Sequence, residues 1–264
     1  MKLATYPKLK SRKQEKVLRA EDLIKNRLEK DGVVVLPPMD VLGALGILKN
    51  GGMIETTTIL DPWYNKGVGG VRADYKEFID SVLYESSHIS NHIYLWGFPE
   101  IVANFVNSLP HFELNAWLTW YYKNSPSVIR GWRSSQQACI HFCKSGAKLY
   151  PQHFLNEVQN ERMKSGKMRF IPGPPSVIES SLLVGFVGKK EKTPHPAQKP
   201  IDVYKKLIMM TTKEGDVVVD PMAGSGTTGE VAKALGRKAI LSDISEDYTK
   251  IMEQRLGVTR LPFV

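Results

Sequence analysis

Apolar positions along the chain fall into two kinds of run. Short blocks such as "VVV" (33–35), "TTIL" (57–60), "HIYLWG" (92–97), "DVVVD" (216–220) and "KAILSD" (238–243) are apolar or β-branched on consecutive positions. Burial on both faces, as in the middle of a parallel sheet, requires that pattern. Segments with apolar residues three and four apart predict amphipathic helices: 11–30 (Val17, Leu23, Ile24, Leu28), 39–48 with Gly51-Gly52 as its stop, and 73–86 (Phe78, Ile79, Val82, Leu83). Further helices are expected over 99–109, over 201–212, from Thr227 or Thr228, and over 245–256. "FELNAWLTWYY" (112–122) and "QACIHFCK" (137–144) read as additional strands. Strands alternating with helices predict an α/β fold, a parallel sheet with helices on both faces.

Patterning weakens from Lys144 to Lys192, which predicts an insertion on the core and not a second folding unit, and "KGVGG" (66–70) is expected to be a mobile loop. With 264 residues, 42% hydrophobic and 24% charged, the chain has the composition of a soluble globular protein. No apolar run reaches the roughly 18–20 residues that span a bilayer, and no signal-like segment follows the basic N-terminus, so a cytoplasmic protein with no membrane partner is expected. Cys139 and Cys143 give no disulfide framework. The net charge of +9 points to a polyanionic partner. Its excess is concentrated in residues 1–30, with ten Lys/Arg against four Asp/Glu, and in 144–193, with nine against four.

Two stretches carry chemistry. The strand at 57–60 runs into Asp61-Pro62-Trp63-Tyr64, which puts a carboxylate, a carbonyl and flat π-faces at one rim, a combination suited to a planar nitrogen compound. The segment 217–243 offers a strand, a turn with Gly224 and Gly226, a helix, and a second strand ending in Asp243. Glycines let the backbone approach a ligand, and a helix N-terminus presents unpaired N–H groups. An acid at the end of the second strand is placed to accept from ribose hydroxyls. No Lys-Ser/Thr follows the glycines, so this is no phosphate-gripping loop, and "DPMAGSGTTG" departs from the usual dinucleotide fingerprint.

Taken in order, "DPWY" (61–64), "HPAQKP" (195–200) and "DPMAGSGTTG" (220–229) resemble the β-group of amino-methylating DNA methyltransferases over roughly residues 33–257. The resemblance implies a Rossmann-like methyltransferase sheet, S-adenosylmethionine as cofactor and duplex DNA as partner. It implies that Asp61 and the Pro62 carbonyl accept from an exocyclic amine, with Trp63 in the same turn and Tyr64 stacked on the flipped base. Asp220, Pro221, Met222, Ala223, Gly224, Ser225, Gly226 and Thr227 would line the cofactor's methionine portion, and Asp243 would hold its ribose. The His195–Pro200 segment would lie beside the cofactor, with Lys199 as partner of its carboxylate. On this basis the chain divides into a basic N-terminal extension (1–32), a catalytic half (33–143), a target-recognition insertion (144–193) and a cofactor-binding half (194–264). Lys189, Lys190 and Lys192 in the insertion are expected to meet DNA. A cognate restriction endonuclease and a homodimer are the further partners that the family suggests.

Four departures stand out. Trp63 occupies the place of a second proline, Met222 that of a frequent Phe, Ala197 that of Thr, and Gln136 and Gln137 stand near where relatives often show an acid. The initial acid favours adenine-N6 over cytosine-N4, which stays open, as do a non-catalytic partner subunit and an RNA or protein amine methyltransferase. The chemistry suits the residues: an exocyclic amine is a poor nucleophile because its lone pair is delocalised, and two acceptors pull it toward tetrahedral geometry. Cys139, His141 and Cys143, two apart on a strand, are poorly placed around one ion, so no metal is expected.

Overall fold

The computed structural model describes residues 20–66, 70–125 and 131–262. The first part of the helix expected over 11–30 and most of the loop expected at 66–70 lie outside these residues. Strands β1 (Val33–Val35), β2 (Thr56–Leu60), β3 (Ser90–Gly97), β4 (Phe112–Tyr121), β5 (Gln136–Lys144), β6 (Val177–Glu179), β7 (Val217–Asp220) and β8 (Lys238–Leu241) form one sheet in the order β1-β8-β7-β2-β3-β5-β4-β6. From β1 to β3 all neighbours are parallel. Beyond β3 the all-parallel expectation fails, because β5 is antiparallel to both β3 and β4, and β6 joins β4 in parallel. The sequence of β4 explains the change. Its polar Glu113, Asn115 and Thr119 interrupt the apolar run and much of the strand is exposed, as an antiparallel strand with a solvated face permits.

The helices are α1 (Ala20–Asp31), α2 (Val41–Asn50), α3 (Tyr75–Ser87), α4 (Pro99–Val102), α5 (Glu157–Lys164), α6 (Ile201–Thr211), α7 (Thr227–Ala234) and α8 (Glu246–Leu256). Alternate residues of each central strand serve opposite faces. Val34, Ile240, Val219 and Leu60 pack with Ile24, Leu45, Ile79 and Leu83 of α1, α2 and α3. On the other face Val33, Val35, Ala239 and Leu241 meet Ala232, Met252 and Leu256 of α7 and α8, while Ile59 and Val218 meet Val203, Leu207 and Ile208 of α6. The helix expected over 99–109 ends early, as α4 followed by a 3₁₀ turn at Ala103–Phe105. Asn104 is the cause: its amide donates to the carbonyls of Glu100 and Ile101, at 3.0 and 3.1 Å, and competes with further helical turns. Within 144–193 the chain forms α5, held by a reciprocal Asn156–Gln159 capping box, and supplies β6 to the sheet edge.

The topology selects one crevice. β2 and β7 are adjacent and parallel, with Thr57 opposite Val218 and Thr58 opposite Val219. From β7 the chain passes through α7 to β8 on one side, and from β2 through α3 to β3 on the other. Strand order therefore reverses between them, and the carboxyl ends of the two strands open a cleft where α/β sheets bind ligands.

Candidate active site

Both expected motifs sit at this cleft, Asp61 directly after β2 and Asp220 closing β7. The Asp61 carboxylate is held on both oxygens. Its Oδ2 accepts from Lys199 Nζ at 2.5 Å and from the Tyr204 hydroxyl at 3.5 Å, and its Oδ1 accepts from the Tyr64 hydroxyl at 3.1 Å. Lys199 also donates to the Tyr64 oxygen at 2.9 Å. The same hydroxyl lies 2.8 Å from Gln137 Oε1 on β5. The Lys199 side chain is only 4% exposed, and its ammonium lies 5.5 and 5.6 Å from the ring centres of Tyr64 and Trp96. A buried ammonium requires a counter-charge, and Asp61 supplies it. The resemblance assigns Lys199 to the cofactor's carboxylate; in the structure its ammonium lies on Asp61.

The turn itself is braced from behind. Trp63 points away from the carboxylate into the α3 side of the core, with its ring centre 5.3 Å from Tyr75 and 5.7 Å from Phe78. Its carbonyl accepts from the Tyr75 hydroxyl at 2.7 Å. The large ring in place of a second proline thus anchors the turn to α3. Tyr64 sets its ring edge-on to Phe98 at 4.9 Å. Burial, then the charge of Asp61, hold the Tyr64 phenol well above its ordinary range, so it is a hydrogen-bond donor at neutral pH.

The glycine loop is fixed by its acids. Asp220 is buried, and accepts from the Thr228 hydroxyl and from the Met222 N–H at 3.2 Å. Burial pushes its carboxyl up to about 7 despite those donors. Asp243 accepts from the Gly224 N–H at 2.9 Å through Oδ2, and from the Ser245 N–H at 2.9 Å through Oδ1. Gly224 and Gly226 have φ of +50° and +76°, a conformation that disfavours other residues. A Cβ on Gly224 would also stand 2.7 Å from His195 Nε2. His195 Nδ1 accepts from the Ala197 N–H at 3.2 Å, and burial lowers the imidazole's pKa, so the neutral ring carries its proton on Nε2, toward Gly224.

Lys199 connects the two motifs: its ammonium holds Asp61, and its carbonyl accepts from Thr227 Oγ1 at 3.1 Å. Arg255 of α8 continues the link, donating to the Ser225 carbonyl at 3.0 Å and to Thr227 Oγ1 at 3.0 Å, with Glu230 as its ion-pair partner.

With the geometry in view, comparison with known proteins is decisive. A family model described as DNA methylase, of the N6/N4 type, matches residues 78–254. The chain belongs to this family. Since the match begins after Asp61–Tyr64, those four residues are located by the geometry of the cleft and not by the match. Among curated relatives, DNA adenine methyltransferase YhdJ of Escherichia coli (strain K12) is 48% identical over 159 residues, covering 56% of this chain and 53% of that protein. Type II methyltransferase M.HpaI of Haemophilus parainfluenzae is 34% identical over 150 residues, covering 54% and 45%. The chain spans about half the length of these two relatives. The solved M1.HpyAVI–SAM complex shares the fold, with a TM-score of 0.66 over 86% of this chain and 100% of that one at 20% identity. The cytosine-N4-specific PvuII DNA methyltransferase follows at 0.61 over 86% and 88%, at 18% identity.

In this member of the family the cleft also contains residues that sequence reasoning did not place there. Tyr204, Tyr75 and Arg255 reach it from α6, α3 and α8, and no local pattern marks them; Gln137 reaches it from β5, near the place where the family often has an acid. The three lysines at 189, 190 and 192 lie outside the cleft contacts just described. His141 is engaged on both ring nitrogens: Asn115 lies 3.0 Å from Nδ1, and His92 Nδ1 lies 3.2 Å from Nε2. The other His92 nitrogen meets the Lys148 carbonyl at 3.0 Å. Among the described residues no group of three His, Cys, Asp or Glu is arranged to hold a metal, and no helix is long and apolar enough to cross a membrane.

Proposed function

We propose that the chain is an S-adenosylmethionine-dependent DNA methyltransferase acting on the exocyclic N6 amine of adenine in duplex DNA. The observation that carries this is the Lys199 bridge, which joins an acid at the end of β2 to the glycine loop after β7 across the cleft. Two buried polar atoms at the loop, Ser242 Oγ and Arg255 Nη2, lack a partner among the described residues, which fits a polar cofactor beside Asp220–Thr227 and Asp243. When bound, that cofactor supplies an electrophilic methyl group.

The chain's own residues do the rest. Asp61 and the Pro62 carbonyl accept from the amine, and Asp61 stabilises the positive charge that develops there. A carboxylate offers about four acceptor sites, so Oδ1, which among the described residues receives Tyr64, retains capacity for an amine proton. Beside Tyr64 lies a cavity of about 370 Å³, lined in part by Tyr64, Asn65, Lys66 and Tyr75 and not by Asp61, so the flipped base is assigned to the Tyr64 ring at its rim. A larger cavity of about 540 Å³, lined by Leu42, Asp80 and Tyr84, contains none of the expected site residues.

Asp at position 61 and the 48% identity to YhdJ support adenine over cytosine. Residues 144–193 are assigned to target recognition, with Lys189, Lys190 and Lys192 on the DNA. The type II names among the relatives support a restriction-modification setting in the cytoplasm, with a cognate endonuclease. The test is to incubate the purified protein with methyl-labelled S-adenosylmethionine and unmethylated genomic DNA, then resolve the nucleosides. Label in N6-methyladenine, absent with Asp61→Ala, is expected. Label in N4-methylcytosine would reassign the base, and label in neither would end the proposal.

A further inference from the structure

We infer that Phe186 is a wedge that enters the base stack of duplex DNA and keeps the helix open while the target base is out. The inference rests on the DNA reading above and adds to it a residue that contacts neither cofactor nor reacting amine. Phe186 is 91% exposed, an unusual setting for a phenyl ring, since burying one is favourable. It stands at the tip of a tight turn in which the Val187 N–H meets the Val184 carbonyl at 3.1 Å. Gly185 precedes it at φ +59°, a backbone state that glycine adopts readily and that aims the next side chain outward.

The turn is braced at both ends. Before it, Asn124 clamps the Leu182 N–H and carbonyl at 2.8 and 2.9 Å. After it, the Gly188 carbonyl accepts from the N–H groups of Glu191 and Lys192 at 2.9 and 3.0 Å. Glu191 is tied in turn to the cleft, its carbonyl accepting from Gln198 at 2.7 Å and its carboxylate from the Ile201 N–H at 3.1 Å. Between those two residues lies Lys199, the residue that holds Asp61.

An apolar ring is thus carried on a fixed arm rooted beside the catalytic acid. Lys189, Lys190 and Lys192 follow it directly. The charges select a polyanion, and a phenyl ring has no use for phosphate. It does have use for the gap between base pairs, where apolar wedges unstack a step and aromatic faces stack on bases.

The experiment compares wild type, Phe186→Ala and Phe186→Trp on two duplexes that carry the methylated sequence. One is fully paired and the other has a mismatch opposite the target base. Phe186→Ala is expected to lower kcat/KM on the paired duplex roughly tenfold or more, with cofactor affinity and thermal midpoint unchanged. The mismatch should restore most of that loss, because an unpaired base leaves the stack at lower cost. Phe186→Trp should stay within about threefold of wild type, as should Ile54→Ala, a control at an exposed apolar side chain preceding β2. No loss in Phe186→Ala, or an equal loss on both duplexes, overturns the wedge. A wild-type protein that methylates neither duplex overturns the DNA reading itself, and the wedge with it.

Discussion

Asp61 is hydrogen-bonded on both oxygens before any amine arrives, by Lys199 and Tyr204 on one and by Tyr64 on the other. That arrangement fixes the carboxylate's orientation, the condition for preorganised stabilisation of developing charge. Asp61→Asn keeps the shape and removes the charge. It should lower kcat on the order of a hundredfold or more while cofactor affinity stays within about threefold, as read by single-turnover kinetics and calorimetry. Lys199→Met separates two roles. If Lys199 positions Asp61, kcat falls and cofactor affinity holds. If it grips the cofactor's carboxylate, affinity falls instead. The variant should also lose stability, by up to about 3–5 kcal/mol, since it leaves a largely buried carboxylate without its counter-charge; the denaturation midpoint reads this.

The acid and the tyrosine were legible in the sequence because a buried strand that runs into Asp-Pro-Trp-Tyr is chemically incongruous. The partner was not. Lys199 lies 138 positions from Asp61, and only the fold brings them together. Trp63 could not be placed from sequence either, because its direction is set by Tyr75 and Phe78 on a helix yet to be positioned.

Among the elements, the β7–loop–α7 unit contains a marked pH dependence. Burial raises Asp220 from 3.8 to about 7, so the folded state binds a proton that the unfolded chain has released. The associated stability is complete below about pH 4 and is lost as pH rises toward 7. His141, lowered by burial to about 3, acts in the opposite sense, because the folded state excludes a proton that the unfolded chain takes up below its ordinary 6.5. Wild type therefore mixes two opposed slopes. Asp220→Asn should remove the falling one, so that its denaturant midpoint gains on wild type as pH rises from 4 to 7; parallel curves would contradict the assignment. Gly224→Ala should weaken cofactor binding with a milder effect on folding, since the added Cβ meets His195.

Most elements with strong periodicity or unbroken apolar runs could be read in advance, with ends within two residues for α2, α3, α6 and α8, whereas the helix expected over 99–109 stops at Val102. β6 could not, being three residues whose only reason for extension is the exposed edge of β4. α5 could have been found: Asn156 and Gln159 spell a capping box ahead of a polar helix that lacks an apolar stripe. The antiparallel turn beyond β3 was foreshadowed by the polar residues within β4.

At the scale of the whole molecule, the charge of +9 has a measurable signature. Binding through phosphates releases counterions, so affinity falls with salt at a slope of about 0.9 per neutralised phosphate. Replacing Lys189, Lys190 and Lys192 together with Gln should flatten that slope by roughly two to three and leave cofactor affinity unchanged. An unchanged slope would remove this arm from the DNA interface, and with it the rigid route from Phe186 to the cleft.

The most direct measurement expresses the protein in a host that lacks DNA methylation and sequences the native DNA by a method that detects modified bases. The account predicts N6-methyladenine confined to one short recurring sequence and absent from cells expressing Asp61→Ala. Unmodified DNA, or the same marks with the Asp61 variant, would contradict it.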